Sequence, residues 1–139
     1  MTGMETLPGL DFTAIDFEAA NSDRAPACAV GITVVRDGLP ACTESWLIRP
    51  HTGQDSFDKY AMRVHGITPE MTANAASLEE SMFKLSALIG DGPVLAHNMS
   101  YDSAVLRQSF DIAGLSEPSN EFRCTQTLSR VALQLTKTK

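Results

Sequence analysis

The chain has 139 residues, 43% of them apolar and 20% charged, with a formal net charge of −6 at pH 7. A domain of this length buries roughly 68–70% of the surface its unfolded chain exposes, so it needs neither disulfides nor a structural metal to fold. The composition excludes disordered and fibrous proteins, and the acidic balance argues against a protein that coats duplex nucleic acid through its phosphates. No apolar run nears the ~18 residues that cross a bilayer. The opening MTGMETLPGL lacks the basic start and apolar core of a signal peptide, so a cytoplasmic location is expected. Cys28, Cys42 and Cys124 match no zinc spacing and read as small hydrophobes in or beside the core.

In chain order, residues 12–18 (FTAIDFE) form the first predicted strand, apolar apart from two inserted carboxylates. Residues 28–36 (CAVGITVVR) are rich in β-branched side chains, and Asp37-Gly38 is a hairpin turn signal before a partner strand at 39–48. An antiparallel trio is expected. Arg49-Pro50 opens an irregular stretch, after which Thr68 reads as an N-cap with Pro69 at the first helical position.

Ser77 to Glu80 fit a capping box for a helix over residues 78–89, with Leu78, Met82, Leu85 and Ile89 on one face. Gly90 stops it, and residues 94–96 read as a short buried strand. A second helix is expected at 101–113 with Gly114 at its end, then an extended piece at 122–124. Thr125 would cap a last helix over 126–135, where Leu128, Val131, Ala132 and Leu135 repeat at helical spacing. The order predicts a single α/β domain over 1–139, a mixed sheet flanked by helices.

Two clusters could carry chemistry. Asp16 and Glu18 leave the same face of a strand, about 6.8 Å apart. Such charges are costly in an apolar strand unless water, an arginine or a divalent cation satisfies them. The second cluster, HNMSYD at 97–102, runs from a strand end into a helix. Asn98, Ser100 or Asp102 could cap that helix. Alternatively Asp102 stands at the carboxyl end of a sheet strand, where open α/β sheets place ligands.

Together, AIDFEAAN and HNMSYDSAVL resemble the first two motifs of the DEDD 3′–5′ exonucleases. This is the DnaQ-like family of the proofreading subunit of bacterial DNA polymerase III and RNase T. RVHGIT at 63–68 resembles a stretch common in that branch, and the likeness spans about residues 12–135. The resemblance implies a ribonuclease-H-like fold, two Mg²⁺ or Mn²⁺ ions, and removal of nucleotides from single-stranded or frayed 3′ ends of DNA or RNA. A polymerase partner is a further implication. By the same resemblance Asp16 would bridge both ions, Glu18 would bind the nucleophile-side ion and Asp102 the second. Phe17, Ala19, His65, Asn98 and Tyr101 would meet substrate. AANS stands where the family more often has Thr-Thr-Gly.

Other residues read more plainly. His65 either orders a loop or meets substrate, His97 makes structural bonds, and His51 is solvated. Met62, Met71 and Met82 read as core filler. Trp46 and Tyr60 either pack or stack on a base. The family's third motif, a histidine followed five residues later by a fourth acid, has no counterpart: no histidine follows His97 and no carboxylate follows Glu121. The expectation is a domain truncated before that motif, impaired by loss of a general base typically worth 10²–10⁴-fold. The alternative is a catalytically silent module that binds a nucleic-acid end or a polymerase partner. Self-association through the face near 126–135 is also expected.

Overall fold

Alternation of side chains makes the first strand two-faced. In β1 (Phe12–Ala19), Thr13, Ile15 and Phe17 turn inward, while Asp16 and Glu18 take the opposite face. β1 opens the computed structural model of the protein, which describes residues 6–22, 26–53 and 55–125. β2 (Ala27–Arg36) pairs antiparallel with β1, and β3 (Leu39–Arg49) pairs antiparallel with β2. Asp37 and Gly38 both hold positive φ, 51° and 78°, the combination a two-residue hairpin needs.

β4 (Ala76–Ser77) runs parallel to the end of β3, β5 (Val94–Ala96) parallel to β1, and β6 (Phe122–Cys124) parallel to β5. The strand order is β4-β3-β2-β1-β5-β6. α1 (Lys59–His65) and α2 (Pro69–Thr72) lie in the connection from β3 to β4, α3 (Leu78–Ile89) follows β4, and α4 (Met99–Ile112) follows β5. The expected mixed sheet with flanking helices is therefore present. Leu78, Met82, Leu85 and Ile89 of α3 join Val105, Leu106 and Phe110 of α4 in one core with Ile15, Phe17, Val30, Ile32 and Ile48.

Caps fall where hydroxyls and glycines stand. Ser77 Oγ accepts the Glu80 N–H at 3.1 Å, and Thr68 Oγ1 accepts that of Met71 at 3.4 Å. Gly90 closes α3 at φ 61°. Two elements were not legible beforehand. α1 buries none of its residues, so it shows no core stripe; Asp58 at its N-cap and Gly66 at φ 74° were its only signals. β4 is two residues long. α4 begins at Met99, two residues earlier than expected.

Met82 is fully buried, as expected, but Met71 is 49% exposed on the short α2 and does not fill the core. None of the three cysteines is in a disulfide, Cys28 being buried and the others half-buried. Among the described residues no helix is long and apolar enough to cross a membrane. The expected helix at 126–135, and the self-association face assigned to it, lie outside the described residues.

Candidate active site

The ladder between β1 and β5 explains how the two acidic clusters meet. β5 is three residues long and registers with β1 through Thr13 and Ala14. Beyond that point β1 has no strand beside it on that side among the described residues. The first turn of α4 fills the gap: Asp102 Oδ1 accepts the Phe17 N–H at 3.0 Å, across 85 residues of sequence. The bond places a carboxylate that is 4% exposed against the backbone link between Asp16 and Glu18. Asp102 is thus no helix cap. Asn98 holds the N-cap position of α4 without a side-chain cap bond, and its Oδ1 accepts the Ser100 hydroxyl at 3.1 Å.

Electrostatics follow from this crowding. Burial pushes the Asp102 carboxyl up to about 6, the charges of Asp16 and Glu18 push the same way, and the Phe17 N–H partly offsets them. Glu18 is also raised, by burial first and by Asp16 second. Burial with the neighbouring carboxylates raises the Tyr101 phenol to about 12, so it stays a donor throughout the neutral range. The ion pairs among the described residues, Lys84–Glu44, Arg107–Glu117, Arg123–Glu121 and His51–Glu79, involve none of the three acids.

The donor set fits a hard divalent cation by its chemistry, being all carboxylate oxygen with no cationic side chain paired to it among the described residues. As the side chains stand, no group of three or more His, Cys, Asp or Glu among the described residues could by itself hold a metal ion.

Among the hollows beside the acids, two border Glu18. One of about 380 Å³ lies over the open face of the sheet, lined by Asp16, Glu18, Ala29, Gly31, Ser45 and Leu47 among others. The other, about 180 Å³, lies between the end of β1 and α1, with Glu18, Ala19, Tyr60, Val64, His65 and Tyr101 in its walls. Tyr60 is 74% and Val64 65% exposed there. Val64 was not foreseen, because an apolar residue on the outside of a coreless helix carries no periodic signal.

The remaining expected contacts divide. Ala19 and Tyr101 line the smaller hollow. Phe17 corrects the expectation: its side chain is 2% exposed and turned into the core, since it alternates with the acids on either side. His65 also lines the smaller hollow, but both its ring nitrogens are engaged. Nε2–H donates to the Ala19 carbonyl at 2.9 Å and Nδ1 accepts the Ile67 N–H at 3.0 Å, the neutral tautomer. Asn98 is exposed and lines neither hollow.

The other aromatic and histidine readings resolve simply. His97 Nδ1 stands 3.2 Å from Thr125 Oγ1, a structural tie, and His51 pairs with Glu79 at 3.1 Å on the surface. Trp46 packs: its Nε1–H donates to Ser81 Oγ at 3.0 Å and Lys84 covers its ring.

Fold and site together define a ribonuclease-H-like α/β domain with an acidic centre at the end of its middle strands. The RNase T exonuclease family model matches residues 13–138, and the chain belongs to that family. The expected place among the DEDD 3′–5′ exonucleases is borne out. Exonuclease X, solved in complex with 5′ overhanging duplex DNA, is 26% identical with a TM-score of 0.70, covering 92% of this chain and 68% of that one. E. coli Exonuclease I in complex with a dA16 oligonucleotide has a TM-score of 0.78 at 15% identity, over 90% of this chain and 30% of its own, a likeness of fold. A PolC-type DNA polymerase III of Mycoplasmopsis pulmonis is 30% identical over 80 residues, 58% of this chain. The chain spans 5% of that polymerase's length.

Proposed function

We propose that this domain removes nucleotides from the 3′ end of single-stranded or frayed nucleic acid, with Asp16, Glu18 and Asp102 holding two Mg²⁺ or Mn²⁺ ions. The observation that carries the reading is the bond from the Phe17 N–H to Asp102, which sets that carboxylate beside the strand segment of Asp16 and Glu18, whose charges act on it. Bound there, divalent ions supply the positive charge, the activated water and the leaving-oxygen stabilisation of phosphodiester hydrolysis.

The chain's own residues orient the substrate. Ala19, Tyr60, Val64 and Tyr101 wall a hollow suited to the terminal nucleotide, and the Tyr101 hydroxyl remains a hydrogen-bond donor at neutral pH. His65 orders the strand end through Ala19. No histidine follows His97 in these 139 residues and no carboxylate follows Glu121, so a general base must come from elsewhere. Their own rate is therefore expected ~10²-fold or more below that of a chain that also carries the third-motif histidine and acid. A polymerase partner and a cytoplasmic, replication-associated setting belong to the same proposal, supported by the PolC-type relatives.

Digestion of a 5′-labelled single strand with Mn²⁺ tests the reading. A ladder shortening from the 3′ end is expected, absent in EDTA and reduced at least ~10²-fold, or about 2.7 kcal/mol of barrier, in Asp16→Asn. Shortening that persists in EDTA or in the variant would overturn it. Binding without shortening, at either chain length, would favour the silent end-binding module instead.

A further inference from the structure

α1 buries none of its seven residues, although Phe57 before it and Ile67 after it pack with Ala20 and Cys28. Hydrogen bonds at its two ends add a directional hold. At the N-terminal end Asp58 uses both carboxylate oxygens in different directions. Oδ1 accepts the Ala61 N–H at 2.6 Å and caps the helix, while Oδ2 accepts the Ser22 N–H at 3.2 Å. The Asp58 N–H also donates to the Ala20 carbonyl at 3.0 Å. Two residues upstream of Asp58 in the same connection, the Ser56 carbonyl accepts from the Asn21 side-chain amide at 2.6 Å. At the far end of the helix His65 holds the Ala19 carbonyl. Apart from the capping bond to Ala61, each of these bonds lands on residues 19–22, the segment that directly follows Glu18.

We propose that Asp58 is a positioning residue for the hollow between α1 and the end of β1: its single carboxylate both caps α1 and fixes that helix to the segment after Glu18. The consequence rests on the nuclease reading given above. The grip sets how far Tyr60 and Val64 stand from Glu18 and Tyr101, and so the width offered to a terminal nucleotide. An ordinary N-cap needs one oxygen, and serine or asparagine would serve it equally. The second oxygen, on Ser22, has no capping use. It is the part of Asp58 that helix formation does not require.

Two substitutions separate capping from gripping. Asp58→Ser keeps one oxygen for the Ala61 N–H and loses the reach to Ser22; Asp58→Ala loses both. Amide hydrogen exchange needs no activity. In Asp58→Ser the Ser22 amide is expected to exchange at least ~10-fold faster while that of Ala61 stays protected, the scale of one hydrogen bond to a charged acceptor. Binding of a fluorescein-labelled oligothymidine, measured in EDTA, is expected to weaken about tenfold in both variants on the same scale. The turnover number with Mn²⁺ at saturating oligonucleotide is expected to stay within about twofold, since the three acids are untouched.

Equal Ser22 exchange in Asp58→Ser and the native chain would overturn the grip. Faster exchange with unchanged oligonucleotide affinity would overturn its positioning role. Absence of binding by the native chain would bring down the nuclease reading, and the positioning role with it. The exchange result would still judge the grip by itself.

Discussion

Asp102→Asn is expected to raise the melting temperature at pH 7 by about 5 °C and to cut 3′-end hydrolysis at least ~10²-fold. Asp102 is 4% exposed and its carboxyl is pushed up to about 6 from an ordinary 3.8, by burial and then by Asp16 and Glu18. A group whose folded-state pKa is raised favours the fold while protonated. That stability is complete below about pH 4 and is lost as pH rises through about 6. At pH 7 the ionised group therefore burdens the native state. The gap amounts to about 3 kcal/mol at 1.36 kcal/mol per pH unit.

Asparagine keeps an oxygen for the Phe17 N–H and carries no charge. Its amide group must also be satisfied, which leaves a net gain of about 1–2 kcal/mol. Thermal unfolding across pH 4–8 checks the sign, because the variant's advantage should vanish toward pH 4. Mn²⁺ should stabilise the native chain and leave the variant nearly unchanged, since a ligand that binds the native state alone stabilises it by mass action. A variant less stable than the native chain at pH 7 would refute the account. On the proposed function, stability and activity should move in opposite directions, because the same carboxylate that burdens the fold would serve the hydrolysis.

Phe17→Ala should act on the fold. The side chain is 2% exposed in the main core, and truncating a buried phenylalanine costs about 3–5 kcal/mol. Against a total of about 5–15 kcal/mol, that is a large share of the stability. It should lower the melting temperature by roughly 10–20 °C. The backbone N–H that holds Asp102 is unaltered, so oligonucleotide affinity well below the transition should change little. The opposite pattern, an unmoved melting temperature with weakened binding, would place Phe17 against substrate after all.

Phe17, one residue of strand from either acid, marks what could be read in advance. Period-two alternation puts Asp16 and Glu18 on one face whatever the rest of the chain does, so their pairing was visible in FTAIDFE. The same alternation already turned Phe17 away from them. The family likeness drew attention to the motif as a unit, and strand geometry divides that unit between a site and a core.

The Asp37-Gly38 hairpin, the Ser77 cap and the apolar stripe of α3 were legible for a similar reason: each is decided by residues within four positions of one another. α1 escaped notice because its stability comes from partners at residues 19–22 rather than from a buried stripe of its own.

The role of Asp102 needed the sheet. Its sequence neighbourhood allowed a helix cap, and local chemistry had no means of choosing otherwise. The choice was made by β5, whose brevity leaves a β1 backbone donor beside the start of α4. By itself the sequence determined the hairpin, the α3 face and the paired acids, because backbone periodicity and capping are short-range. Only the tertiary structure decided that a third acid joins them and that Asp58 ties α1 to their strand. Both depend on backbone donors that a distant element leaves free or supplies.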